Sequence, residues 1–536
     1  MLDVLVIGSG GAGLSAALAA KEAGAEHVAI ASKFPPMQTQ TTMAQGGMNA
    51  ALGNLEKDHI ALHIDDTLKA GRGLCDEEMV RLMCSEAPQS VAWLEKLGVP
   101  FSRIKTTENE ALSTIAQRYL GGASVKRACY AQDYTGLKIL HTLYDQTRKY
   151  NIIYLYEYFL LDLIVEDGYV RGVLFWDIAH GEVRTVIAKS VILATGGFGA
   201  MYHNHTTNMY GTSGDGIAAA FRAGAMISDM EFVQFHPTGL YGSNILISES
   251  ARGEGGYLVD QKGERFVDEL APRDVVVHAI YEQMNKGNRI YLDLRHLGKE
   301  KLESLLPQEL ALIRLHENID PVFEPIPIKP VVHYTMGGID IDKTMEIPTI
   351  KGCFAVGECA NSKVHGANRL GGNSLLEIIA FGRIVGENAT NYTHYVREKS
   401  IDKDYAQRAK DDIDNIFVDV HKPSFYSLRQ KLGECLYQNV GIIRDEFNLQ
   451  QALQEVTLLQ ASLSKYGIGD SEFKHNQALT EYLELRNMLM LAPAFISAAL
   501  VRQESRGAHY RKDYPKMNDK AFLKHIRLHY QGEMYG

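Results

Sequence analysis

This chain predicts an α/β dinucleotide-binding fold followed by a helical portion, on three observations. A short apolar run, Val4-Leu5-Val6-Ile7, opens into Gly8-Ser9-Gly10-Gly11-Ala12-Gly13 and then a helical stretch. A second apolar run, Val191-Ile192-Leu193-Ala194, also ends in small residues, Thr195-Gly196-Gly197. Toward the far end, Leu449, Leu453, Val456 and Leu459 recur at the spacing of a packed helix face.

The first run has the character of a buried parallel strand. Leu14 and Leu18, four apart, mark a helix that ends near Gly24, and His27 to Ala31 is the next strand. A G-x-G-x-x-G match needs this strand–turn–helix–strand context. Gly8 permits the tight turn, Gly10 admits a pyrophosphate to the helix N-terminus, and Gly13 lets helix and strand pack closely. The acid expected about twenty residues on is absent. Ser32-Lys33 stands there instead, so a hydroxyl and an ammonium serve the ribose or phosphates, and a plain NAD site is disfavoured.

Phe159–Val165, Val170–Trp176 and Val183–Lys189 are expected as three short strands, turned at Asp167-Gly168 and His180-Gly181. A second Gly-rich strand end after such a meander is the layout of a two-part flavin domain. Ala355-Val356-Gly357-Glu358 is a further strand end, where a buried carboxylate can hold a ribose. The segment His365 to Leu375 then supplies His365 and Arg369 as donors to an anion, with Gly371 and Gly372 allowing close approach. An anion site fused to a nucleotide site suits a redox enzyme acting on a small acid.

At 536 residues the chain is too long for one core, and length predicts about three to four domains. Hydrophobic content of 46% and charged content of 22% are ordinary for a globular protein. A net charge of −10 argues against nonspecific nucleic-acid binding. It leaves room for an anionic ligand, because a local Arg and His cluster can oppose the global sign. No uninterrupted run of about 18 apolar residues exists, so no bilayer span is expected. No basic leader or twin-arginine segment precedes Val4, and the start is read as mature fold. Cys75, Cys84, Cys129, Cys353, Cys359 and Cys435 form no C-x-x-C spacing. Iron–sulfur clusters, structural zinc and other bound metals are therefore not expected, and reduced thiols in the cytoplasm are.

The middle of the chain carries a resemblance. Gln234-Phe235-His236-Pro237-Thr238-Gly239 precedes Ser248-Glu249-Ser250-Ala251-Arg252-Gly253-Glu254-Gly255-Gly256. Ala271-Pro272-Arg273-Asp274, His333-Tyr334-Thr335-Met336-Gly337-Gly338 and the His365 segment follow, with Glu504-Ser505-Arg506-Gly507-Ala508-His509 near the end. In this order they resemble the flavoprotein subunit of the succinate dehydrogenase and fumarate reductase family, to which L-aspartate oxidase is related. The similarity runs from Leu2 to about Tyr510.

The resemblance implies a discontinuous Rossmann-like FAD-binding domain, 1–230 and 353–395, with an inserted α+β capping domain at 231–352. A helical domain at 396–505 and a C-terminal segment, 506–536, complete the α/β plus α fold. The site would lie between FAD and cap, where closure excludes water and strengthens charge interactions. Fumarate reduction needs hydride from flavin N5 on one alkene carbon and a proton on its neighbour. By resemblance His236, Ser248, His333 and Arg369 grip the two carboxylates, with Phe101 beside them. Arg369 can do so bidentately, at roughly twice the strength of a neutral hydrogen bond. The implied proton donor is Arg273, resupplied through Glu249 and Arg252. A free guanidinium is a poor acid at neutral pH, so that role requires neighbouring cations and a strongly basic carbon. FAD would lie along Gly8, Gly10, Gly13, Ser32, Lys33, Gln40, Gly46, Thr195, Gly196, Asp215, Glu358, Arg369, Ser374 and Leu375.

One departure from the family bears on the cofactor. Most respiratory members hold FAD covalently through a histidine shortly before an Ala-Gln/Glu-Gly-Gly element. Here that element is Ala44-Gln45-Gly46-Gly47, Gln40 takes the histidine's place, and no His, Cys or Tyr occurs between Val28 and Asp58. Noncovalent FAD is expected. Without the electron-withdrawing link the flavin potential falls, and about 30 mV is tenfold in a two-electron equilibrium, so fumarate reduction is favoured.

L-aspartate oxidase is the alternative, since it too binds FAD noncovalently. That enzyme places a Glu before a Gly-Gly pair to meet the substrate ammonium, whereas Leu120 precedes Gly121-Gly122 here. A flavin-binding subunit without chemistry is the lesser alternative, and it predicts eroded motifs where these are filled. By resemblance the electrons come through an iron–sulfur subunit, with or without a membrane anchor. That implies a cytoplasmic chain, peripheral on the membrane through partners.

Overall fold

The computed structural model describes residues 1–105, 113–396, 401, 404–417 and 422–530. β1 (Leu2–Ile7) and β2 (Val28–Ser32) are parallel neighbours joined by α1 (Gly11–Glu22). The chain needs glycine at this turn. Gly8 has φ +115°, and a Cβ on Gly13 would collide with the Gly8 carbonyl. β1 heads a parallel core of five strands in the order 350–355, 188–193, 2–7, 28–32, 153–156. Helix Asn373–Thr393 lies against α1 on small residues, where a Cβ on Gly386 would strike the Ala16 carbonyl.

The expected meander is present at Tyr158–Glu166 and Tyr169–Asp177, with Asp167 and Gly168 both at positive φ in the turn. Its third strand is longer than the sequence reading. Val183–Lys189 and the buried run from Val191 form one strand, Glu182–Leu193. Its first half pairs antiparallel with Tyr169–Asp177 and its second half pairs parallel with β1. The residues show the change of partner, because exposure in the first half gives way to burial from Ser190 onward.

A second sheet, wholly antiparallel, orders Val233–Leu240, Ile326–Thr335, Ile290–Asp293 and Tyr257–Val259. It has its own core, including Leu240, Leu258, Ile280, Leu292 and Ile313. Four helices follow later, Asp404–Phe417, Tyr426–Asn439, Glu446–Ser462 and Gln477–Val501. Leu449, Val456 and Leu459 are buried and Leu453 half-buried, as their spacing predicts. Gln477–Val501 is long and apolar enough by composition to cross a membrane, although its few polar residues break the apolar run. Yet 78% of its most apolar stretch is buried inside the protein, against the other helices and the nucleotide-binding core. All six cysteines are unpaired.

Candidate active site

A single elongated cavity begins at the β1–α1 turn and ends between the two sheets. Its walls include Gly8, Gly10, Ser32, Thr195 and Glu358 at one end and His236, Ser248, Arg273, His333 and Arg369 at the other. Its nucleotide end bears the marks of a built cradle. No atom lies closer than 3.5 Å to where a Cβ on Gly10 would project, and none lies within 4 Å of one on Gly196. The Thr195 hydroxyl and both polar atoms of the Gln45 amide are buried in the wall without a hydrogen-bond partner. Ser374 and Leu375 open helix Asn373–Thr393, where first-turn N–H groups lack intrahelical acceptors. Polar groups awaiting partners along a glycine-lined channel fit a dinucleotide such as FAD.

Other residues expected at this end are placed with partners of their own. Ser32 Oγ accepts from Ser9 Oγ at 2.9 Å. Lys33 is half-buried, and its Nζ donates to Asp215 at 2.5 Å, Glu484 at 2.7 Å and Ser213 at 3.2 Å. Burial opposes its charge, but the two carboxylates outweigh that and raise the lysine above its usual range. Gln40 Oε1 accepts the Met209 N–H at 3.1 Å. Glu358 accepts from the Thr335 N–H at 2.9 Å, and burial pushes its carboxyl up to about 7.

At the far end the two strands of the second sheet bring His236 and His333 edge to face, 5.0 Å apart. His236 Nδ1 receives the Thr238 N–H at 3.2 Å, so the remaining ring hydrogen sits on Nε2. His333 Nδ1 meets the Thr207 hydroxyl at 2.9 Å. Burial, then the charge of Arg273, holds both imidazoles well below the usual histidine range, so they are neutral. Arg369 stacks over the Tyr334 ring at 4.1 Å and donates through Nη1 to Ser374, while its buried Nε has no partner. Burial, then Arg273, lowers Arg369 to about 10.

Glu249 joins the two remaining arginines. It accepts from Arg273 at 2.8 and 3.2 Å and from Arg252 at 3.2 Å, all three side chains being buried. Burial would raise the Glu249 carboxyl, but Arg273 and Arg252 hold it below its usual value. The approach is tight, since a Cβ on Gly121 or Gly371 would collide with its carboxylate. Gln234 braces the group, accepting from Arg273 Nη1 at 3.0 Å and donating to the Arg369 carbonyl at 2.9 Å.

Two sequence expectations are corrected. His365 does not line the cavity and instead bonds Glu377 at 3.0 Å and Tyr334 at 3.3 Å within the protein. Phe101 belongs to the apolar core and lies off the cavity, whose aliphatic wall near Gly46 and Ser248 is Leu120. Gln45, Thr207, Thr238 and Glu484 were missed. Thr207 and Glu484 stand in stretches with no motif around them, and an acid within the leucine-rich run Tyr482–Leu485 is the one signal that Glu484 offered.

Fold and cavity together define a dinucleotide-binding protein with an adjoining site for a small anion. Residues 3–375 match the family described as FAD binding domain, and residues 429–534 that described as fumarate reductase flavoprotein C-term. The 8-methylmenaquinol:fumarate reductase flavoprotein subunit of Wolinella succinogenes is 40% identical, over 98% of this chain and 87% of its own length. The succinate dehydrogenase flavoprotein subunit of Rickettsia bellii is 37% identical, over 98% of this chain and 92% of its own. A solved quinol-fumarate reductase with menaquinol molecules superposes with a TM-score of 0.92 at 36% identity, covering 98% of this chain and 95% of its own. The chain belongs to the fumarate reductase and succinate dehydrogenase flavoprotein family and carries its FAD-binding domain.

Proposed function

We propose that this chain interconverts fumarate and succinate as the catalytic flavoprotein of its complex, with fumarate reduction favoured. The convergence of His236, Ser248, His333 and Arg369 on one cavity end, beside the Arg252–Glu249–Arg273 run, carries this reading. FAD, when bound, supplies the hydride. Stripping a dicarboxylate of water costs free energy unless fixed donors replace it. His236 offers Nε2–H, Ser248 its hydroxyl, His333 its second nitrogen and Arg369 its unpartnered Nε. Arg273, held in place by Glu249 and Gln234, gives a proton to the carbon next to the one that gains hydride. Glu249 and Arg252 return that proton to Arg273.

The same reading assigns a two-part FAD domain (1–230 and 353–395), a cap (231–352), a helical domain (396–505) and a C-terminal segment (506–536). The separate apolar core of the second sheet supports that division. FAD is held noncovalently, which rests on Gln40 and on the lack of His, Cys or Tyr between Val28 and Asp58. The relatives are named as subunits, and a quinol figures in two of their descriptions. On that basis the chain takes electrons from an iron–sulfur subunit, with or without a membrane anchor. It then sits peripherally on the cytoplasmic face.

One purified sample tests this. Dye-coupled turnover of fumarate exceeding that of succinate is expected, as is release of all yellow colour to the supernatant on acid precipitation. A yellow pellet overturns the noncovalent assignment. Oxygen-dependent consumption of aspartate would make the chain an L-aspartate oxidase, against the aliphatic wall at Leu120.

A further inference from the structure

Behind Ser248, on the side away from the cavity, lies a fully buried carboxyl group that the mechanism does not use. Glu309 stands in the first turn of helix Pro307–Glu317. Its Oε1 accepts the Ser248 backbone N–H at 3.2 Å and the Ser250 hydroxyl at 3.1 Å. Ser250 in turn donates its own N–H to Ser248 Oγ at 3.1 Å. One carboxyl therefore braces the short turn that presents Ser248, Glu249 and Arg252.

The groups facing Glu309 decide its charge. Asp133, also buried, comes from the segment before helix Thr135–Lys149 and accepts the Glu309 N–H at 2.9 Å. Asp133 also takes the Gln308 N–H. Ser248 and Ser250 approach from the turn. Arg118 stands nearby from strand Gln117–Arg118, but its Nη2 donates to the Gln132 carbonyl and its guanidinium stacks on Tyr130 at 3.6 Å. Two buried carboxyls facing one such arginine do not both ionise cheaply. Burial raises the Asp133 carboxyl too, but two N–H groups of the helix start point at it and favour its ionised form. Each carboxyl keeps one oxygen buried without a partner, Glu309 Oε2 and Asp133 Oδ1, so the N–H groups on Asp133 Oδ2 are what separate the two. Burial, then Asp133, pushes the Glu309 carboxyl up to about 8.

We propose that Glu309 is a positioning residue for the substrate: in its neutral form it holds the Ser248 turn and keeps an added negative charge off the dicarboxylate's binding face. This inference rests on the dicarboxylate reading of the cavity. Ionised Glu309 sets a second anion directly beneath Ser248, so substrate binding weakens as the proton leaves. Gln at this position keeps the oxygen acceptor and never ionises, whereas Leu loses both hydrogen bonds.

The test uses the FAD-loaded protein as purified, as wild type, Glu309→Gln and Glu309→Leu. KM and kcat for fumarate are measured across a pH series, with the Kd of malonate, which has no CH–CH bond to oxidise, read from the flavin spectrum. In the wild type, KM and the malonate Kd rise by about tenfold from about pH 7 to about pH 9, with kcat changing less. Glu309→Gln keeps the neutral-pH values and loses the rise. Glu309→Leu, still loaded with FAD, has a raised KM at every pH. The same alkaline rise in Glu309→Gln overturns the inference alone, as does a wild-type KM in Glu309→Leu. A wild type that binds neither fumarate nor malonate overturns the dicarboxylate reading with it.

Discussion

The Thr238 backbone N–H points at His236 Nδ1, 3.2 Å away, and so decides which ring nitrogen carries hydrogen. The Thr238 hydroxyl donates elsewhere, to the Ile247 carbonyl at 2.6 Å. His236 thus meets the cavity as a neutral donor through Nε2, fixed by its own strand. A neutral donor binds a carboxylate without the desolvation cost of an added cation.

Replacing His236 by Ala removes that fixed donor. A hydrogen bond to a charged group contributes about 1.5–3 kcal/mol, so kcat/KM for fumarate is expected to fall by about 10- to 100-fold with FAD content unchanged. Steady-state kinetics beside flavin absorbance checks this, and an unaltered kcat/KM would remove His236 from the substrate's contacts.

Arg273→Lys keeps a positive charge but loses the fork that spans Glu249 and Gln234. General acid catalysis contributes about 10²–10⁴-fold, and turnover is expected to drop by that order while malonate still perturbs the flavin spectrum. Full turnover in the lysine variant rules Arg273 out as the acid.

FAD retention depends on pH through Glu358. Its carboxyl is raised to about 7 by burial, and on the proposed placement of FAD ribose hydroxyls would donate to the ionised form, so that cofactor binding would release a proton. The FAD Kd is therefore flat above about 7 and rises toward tenfold per pH unit below it. Glu358→Gln abolishes the slope. Ultrafiltration of free FAD over a pH series measures this, and a flat wild-type curve contradicts it.

Lys33→Met leaves Asp215 and Glu484 as neighbouring buried carboxylates with Arg429, 3.6 Å from Glu484, as the remaining counter-charge. Breaking one side of such a pair costs about 3–5 kcal/mol, expected as a lower Tm in both the apo and holo protein. Adding Glu484→Gln recovers part of the loss, because one uncompensated charge is gone. A Tm unchanged by Lys33→Met shows the cluster to be energetically idle.

Much of this was legible in the residues, and what was not has physical reasons. The β1–α1–β2 unit and the meander followed from local patterns, because glycine turns and alternating apolar runs act over short range, whereas His236, Ser248, His333 and Arg369 were expected at the site from the family resemblance and not from spacing. His365 misled because a basic side chain near an arginine reads as an anion donor, while Glu377, twelve residues on, claims it across the first turns of helix Asn373–Thr393. Phe101 misled because an aromatic fits either wall or core, and only packing separates the two. Thr238 and Thr207 were hidden since orienting a ring needs a hydroxyl or N–H at one distance, which no spacing announces. Glu309 was hidden for the same reason, as its partner Asp133 lies 176 residues away.

The Lys33–Glu484 ion pair joins residues 451 positions apart. A ribosome that has made the Gly-rich turn, the meander and the whole second sheet has still not made the acid that pairs with Lys33 behind the channel wall. The pairing of Lys33 is thereby completed only once Gln477–Val501 has emerged and docked.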